Sequence, residues 1–273
     1  MNAARAFVDA IDTQAAHDRA ASPGYDRGPL VAFLVGALCL TFMEYMAGPH
    51  VLRGLLRGLH DLLPEQVAAY PQLRDGRWYA LLDLGFWVAT RTVGFLLLPG
   101  LAIRLLLGQR LSDYGLRASG LKGHLPAYAY LFLAVLPLLC VAALRPEFVA
   151  YYPFYRHAAD SWFDLLCWEA LYAFQFFCVE FFFRGFLPMA SRKSLGSHAA
   201  AAAMVPYCMV HFTKPLLEVL GAIPAGFVLG LLALRTGSIW GGVLLHVAVA
   251  WSMDGLAIAQ TTGFPRTFWP AGG

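Results

Sequence analysis

Glu180 and Arg184 stand four residues apart in the stretch CVEFFFRGF, with nothing but phenylalanine between them. Further along come His211, closing an alanine-rich run, and His246, inside a run that opens RTGSIWGG. A carboxylate, a guanidinium and two imidazoles are the groups that hydrolysis of an amide requires: a base for water, donors for an oxyanion and an acid for the leaving amine. Two histidines with one or two carboxylates are also a zinc-like ligand set, which makes Glu180, His211 and His246 alternative metal ligands. The chain has no HExxH helix, and on the residues alone the metal-free and zinc versions both stay open.

Each residue also has a plain structural reading. On one helix Glu180 and Arg184 are neighbours, and Glu169, eleven positions earlier, falls within ~20° of Glu180 at 100° per residue. The result is a polar stripe, which serves as a packing ion pair as readily as a catalytic group. His211 ends a run of about 14 apolar residues, ~21 Å of helix, too short for a full crossing. A helix of that length stops inside the protein. Lys214-Pro215 then restarts the chain, and Glu218 sits in the opening turns of the next helix, where the macrodipole favours an acid with or without chemistry. His246 lies ~12 Å along its helix from Ser238, below a membrane surface. Asp254, two turns further and ~80° around, is placed either to hydrogen-bond His246 or to meet solvent at a helix end. Gly226 with Gly230, and Gly237 with Gly241, read as small faces that let neighbouring helices approach.

The elements that must position these groups are membrane spans. Of the 273 residues 59% are hydrophobic and 14% charged, far from the composition of a soluble domain. Apolar runs cover about 29–47, 78–107, 125–144, 162–183, 199–212, 216–234 and 239–259, most reaching the ~20 residues that cross ~30 Å of hydrocarbon as helix. None alternates apolar with polar residues, which excludes a β-barrel. The fold expected is an all-α polytopic bundle of about seven to eight transmembrane helices, with the second run broken at Pro99-Gly100. Residues 1–28 form a hydrophilic tail in which Phe7, Val8 and Ile11 could make a short interfacial turn, and 29–273 form a single membrane domain. Cations are scattered over successive loops, Arg53, Arg57, Arg74 and Arg77, then Arg110, Arg117 and Lys122, then Arg192 and Lys193. The positive-inside rule therefore favours a cytoplasmic N-terminus only slightly. A net charge of +3, so dispersed, excludes a nucleic-acid surface. The five cysteines lie in or beside apolar runs without paired spacing and read as small hydrophobes.

Taken in order, Glu180 and Arg184 ahead of Gly-Phe-Leu, Tyr207-xxx-His211, and Arg235-Thr-Gly-Ser-Ile-Trp followed by His246 resemble the CAAX prenyl protease and bacteriocin-processing enzyme (CPBP, Abi) family of glutamic-type intramembrane endopeptidases. The resemblance covers 162–259. It implies an eight-helix membrane protease in which a glutamate activates water and histidines assist, acting without a cofactor on a membrane-associated peptide or protein. It also implies a multi-pass protein of the bilayer, expected in a bacterial cytoplasmic membrane. Glu180 and Arg184 fall on the family's Glu-Glu-x-x-x-Arg motif, His211 on the second motif's histidine and His246 on the third's. Three positions depart from the pattern: Val179 stands at the first glutamate, Tyr207 at a common Phe, and Ala250 at an Asn. Glu180 on a slightly rotated helix, or Glu218 as a second carboxylate, would repair the first loss, and Asp254 the last.

The catalytic assignment is Glu180 with His211 as the water-activating pair and His246 as oxyanion stabiliser or proton donor, with Arg184, Glu218 and Asp254 supporting. A non-proteolytic scaffold or immunity-type protein that keeps the fold is the competing class, favoured by Val179 and Ala250. A transporter would draw on Asp83 and Arg91, but no matching pair of interrupted segments is present. For Arg91 the bland reading is an ion pair with an acid such as Glu44.

Overall fold

The computed structural model describes residues 3–64, 76–118 and 121–270, and among them no strand occurs. Ten helices follow in order: α1 (Ala3–Ala21), α2 (Gly28–Met46), α3 (Pro49–Leu62), α4 (Trp78–Leu105), α5 (Leu121–Ala143), α6 (Pro146–Tyr151), α7 (Trp162–Leu195), α8 (His198–Met209), α9 (Leu216–Thr236) and α10 (Trp240–Gln260). Six of them, α2, α4, α5, α7, α9 and α10, are long and apolar enough to cross a membrane. The polytopic helical bundle is as the hydropathy requires. The candidate spans number six among the described residues because α4 runs unbroken through Pro99-Gly100, and because α8, with 12 residues, is only ~18 Å long.

Both long helices change pitch at one turn. Val93–Leu97 in α4 and Phe181–Phe186 in α7 are π-helical, with Leu98 N–H reaching back five residues to Val93 O and Leu187 N–H to Phe182 O. A proline follows each, Pro99 and Pro188, and its missing N–H removes the ordinary four-back bond of that turn. The two wide turns pack together: the Phe95 ring lies 4.8 Å from that of Phe182 and 5.5 Å from that of Phe183. Around them Cys39, Met43, Val179, Phe186, Leu187 and Ile239 form the principal buried cluster.

The start of α7 is fixed by a buried acid. Ser161 caps the helix by accepting Asp164 N–H at 3.1 Å, while the fully buried Asp164 carboxylate pairs with Arg77 at 2.8 Å and accepts the Tyr155 hydroxyl at 2.9 Å. The beginning of α4 is thereby tied to that of α7. At the opposite end the RTGSIW segment turns α9 into α10. Gly237 adopts φ 66°, which favours glycine, and Ile239 N–H donates to Gly115 O at 3.0 Å while Trp240 Nε1–H donates to Leu116 O at 3.0 Å. Gly237 is therefore a turn residue with no neighbour near a would-be Cβ, whereas Gly226, Gly230 and Gly241 each abut side chains of a neighbouring helix.

The N-terminal tail is a helix docked on the bundle. Ile11 and Ala15 of α1 are buried, with Ile11 against Ala199, Ala200 and Leu234. The Asp12 carboxylate accepts from Ser197 N–H and Oγ at 2.7 and 3.0 Å, at the N-terminus of α8, where an acid suits the helix dipole. Of the cysteines, all unpaired, Cys39 and Cys178 are buried and Cys140 is exposed.

Candidate functional site

Glu180 closes the regular part of α7 and Arg184 lies inside its wide turn. Both are sealed, at 0% and 1% exposure. Glu180 Oε2 lies 3.5 Å from Arg184 Nε, and Glu180 Oε1 lies 3.0 Å from His246 Nδ1. An ionised carboxylate only accepts, so His246 donates through Nδ1–H and, when neutral, keeps a lone pair on Nε2. Among the described residues Glu180 Oε2 and the Nε, Nη1 and Nη2 of Arg184 have no hydrogen-bond partner, an uncommon state for buried polar atoms. His246 retains 14% of its side-chain exposure. The imidazole, not the carboxylate, is thus the edge of the site that meets the outside.

Tyr207 of α8 joins the remaining parts. The Arg184 guanidinium carbon stands 3.8 Å over its ring, a cation–π contact, and the rings of His211 and His246 lie 4.6 and 6.3 Å from it. His211, on the turn after α8, donates Nδ1–H to Tyr207 O at 2.8 Å, which fixes the tautomer and leaves Nε2 as an acceptor. Burial, with the Lys214 charge second, pushes the His211 pKa down to about 3, so the ring is neutral at pH 7. His246 is also packed against Phe176, ring centres 4.1 Å apart.

The approach of α10 to α7 depends on Gly242, which the sequence does not mark. A Cβ there would stand 3.2 Å from Glu180 Cδ and would overlap Oε2. Being one helical turn before His246, Gly242 is what lets the two helices close on the carboxylate. The only signal for it is the Gly241-Gly242 pair, in which the first glycine makes room for Tyr128.

Two of the supporting residues are engaged by partners other than Glu180 and His246. Glu218, in the first turn of α9, is held by the Tyr152 hydroxyl on Oε2 and the Lys214 ammonium on Oε1. Asp254 accepts Trp168 Nε1–H at 2.6 Å and is no partner of His246, because eight residues of helix separate them by ~12 Å. Its Oδ1 and Glu169 Oε2 make no protein hydrogen bond. Val179 is buried in the apolar cluster and Ala250 in a second one with Trp168 and Phe176. Among the described residues Arg91 pairs with no acid, and its guanidinium lies over Trp87 at 4.4 Å and Phe95 at 5.7 Å. Among the described residues no three His, Cys, Asp or Glu side chains are gathered as a metal cage.

No curated protein and no solved structure matches the chain. A family model does match about a third of it. Residues 161–252, the segment that carries Glu180, Arg184, His211 and His246, match the model described as type II CAAX prenyl endopeptidase Rce1-like, a family of membrane endopeptidases that agrees with the resemblance carried by the motifs.

Proposed function

We propose that the protein is an intramembrane endopeptidase that hydrolyses a membrane-associated peptide or protein with Glu180 as the base. The observation that carries this reading is the divided carboxylate: Oε1 is held by His246 Nδ1 at 3.0 Å while Oε2, beside Arg184, has no protein partner. Glu180 Oε2 takes a proton from water as the oxygen attacks the scissile carbonyl carbon, giving a tetrahedral oxyanion. The Arg184 N–H groups are the donors for that charge, while neutral His246 holds the other carboxylate oxygen through Nδ1–H. The proton on Glu180 then passes to the leaving nitrogen as the C–N bond breaks, which restores the carboxylate. His211, neutral and with Nε2 open, accepts from the attacking water.

Glu180→Gln tests this. Purified protein in lipid nanodiscs, offered a library of membrane-anchored peptides, should cleave as wild type and lose ~10²–10⁴-fold as the variant, the range for a general base. Wild-type activity in Glu180→Gln would overturn the assignment. Val179, at the motif's first glutamate, favours the second reading, a non-proteolytic protein on the same fold. In that case neither form cleaves and both retain the cellular phenotype.

A further inference from the structure

Helix α3 contributes nothing to the site, and its sequence, PHVLRGLLRGLHDL, is unlike any span. At 100° per residue Leu52, Leu55, Leu56, Leu59, Leu62 and Leu63 gather in a sector of roughly 120°, with Arg53, Arg57, His60 and Asp61 on the other side. Only Leu52 of that apolar face is buried. Leu55 is 59%, Leu59 44% and Leu62 79% exposed.

Chain connectivity says what lies against those leucines. Met46 ends the membrane span α2 and Pro49 begins α3, joined through Ala47 and an extended Gly48 at φ −78°, ψ 148°. The three Cα–Cα steps from Met46 to Pro49 reach at most ~11 Å, so α3 starts within that distance of the level where α2 leaves the hydrocarbon. Tyr45 and Met46, on the last turn of α2, are themselves exposed, and the uncovered leucines continue that lipid-facing surface. The polar side carries two arginines against one aspartate, a charge balance that suits anionic headgroups.

We propose that α3 lies in the membrane plane as an anchor, its leucines among the acyl chains and Arg53 and Arg57 on the phosphates of anionic phospholipids. This surface is independent of the peptidase reading. Hydrogen exchange of residues 49–62 in the full-length protein tests it, in nanodiscs of phosphatidylcholine alone and of phosphatidylcholine with phosphatidylglycerol. Exchange should slow on the order of 30-fold more in the anionic discs, the factor two arginines near such a surface contribute. Arg53→Gln with Arg57→Gln should abolish the difference between the two lipids, and Leu55→Ser with Leu59→Ser should remove protection in both, while exchange in α9 and α10 stays unchanged. Equal exchange in the two lipids would overturn the proposal. So would protection that grows with protein concentration and crosslinks α3 to a second copy.

Discussion

Gly242→Ala is the most informative single change, because it adds one methyl and removes no chemical group. The new Cβ would stand 3.2 Å from Glu180 Cδ and closer still to Oε2. Glu180 is fully buried and held on its other oxygen by His246, so it cannot swing away without breaking that contact. Restoring ordinary van der Waals separation asks for a shift on the order of 1 Å in the carboxylate or in α10, and a displacement of that size costs ~10²-fold in a positioned reaction. The overpacking itself should cost about 1–3 kcal/mol, tolerable for the fold. The assay is peptide cleavage in nanodiscs beside thermal unfolding, with Gly255→Ala as control, since a Cβ there meets only Phe264 Cζ at 3.9 Å. The expectation is a ~10²-fold loss of kcat/KM for Gly242→Ala against a neutral control. Full activity in Gly242→Ala, with Glu180→Gln inactive, would show that the placement of Oε2 against α10 is not what the reaction depends on.

Three further outcomes follow from the same geometry. Arg184→Met leaves a sealed carboxylate without its cation and should destabilise the protein by about 3–5 kcal/mol in denaturant titrations. Glu218→Gln keeps a partner for Tyr152 and should lose less than the ~10²-fold minimum that removal of a general base brings, measured as kcat/KM. Burial holds His211 at about 3 against an ordinary 6.5, so the unfolded chain binds the proton first as pH drops. Stability should therefore be full above pH 6.5 and decline toward pH 3, and His211→Gln should flatten that slope in thermal unfolding across the range.

The spans were legible because hydrocarbon demands long apolar runs, and the closeness of Glu180 to Arg184 because residues four apart share a helix face; that His246 rather than His211 holds the carboxylate was not. What stayed hidden depends on contacts between distant segments. Asp164 looks like an ordinary first-turn acid until Arg77 and Tyr155 arrive from elsewhere. Glu218 and Asp254 have the right chemistry and helical spacing, but their partners Tyr152, Lys214 and Trp168 come from segments that spacing along one helix cannot reveal. Pro99-Gly100 looked like a break, yet a wide turn absorbs the proline within α4. In α1 and α3 the apolar residues repeat along one face without forming a run, so hydropathy passes over them: the tail read as at most a short turn is a 19-residue helix, and α3 went unread.

The wide turn after Glu180 has a consequence for how α7 divides its duties. Because one extra residue is wound into 181–186, everything beyond is rotated by roughly 100° from where a uniform helix would carry it. The upper segment can thus offer its acid to α10 while the segment 187–195 seats itself on α2, and neither orientation dictates the other. Removing a single phenylalanine from this stretch would relock the two halves into one register, a change felt at both ends of a helix some 50 Å long.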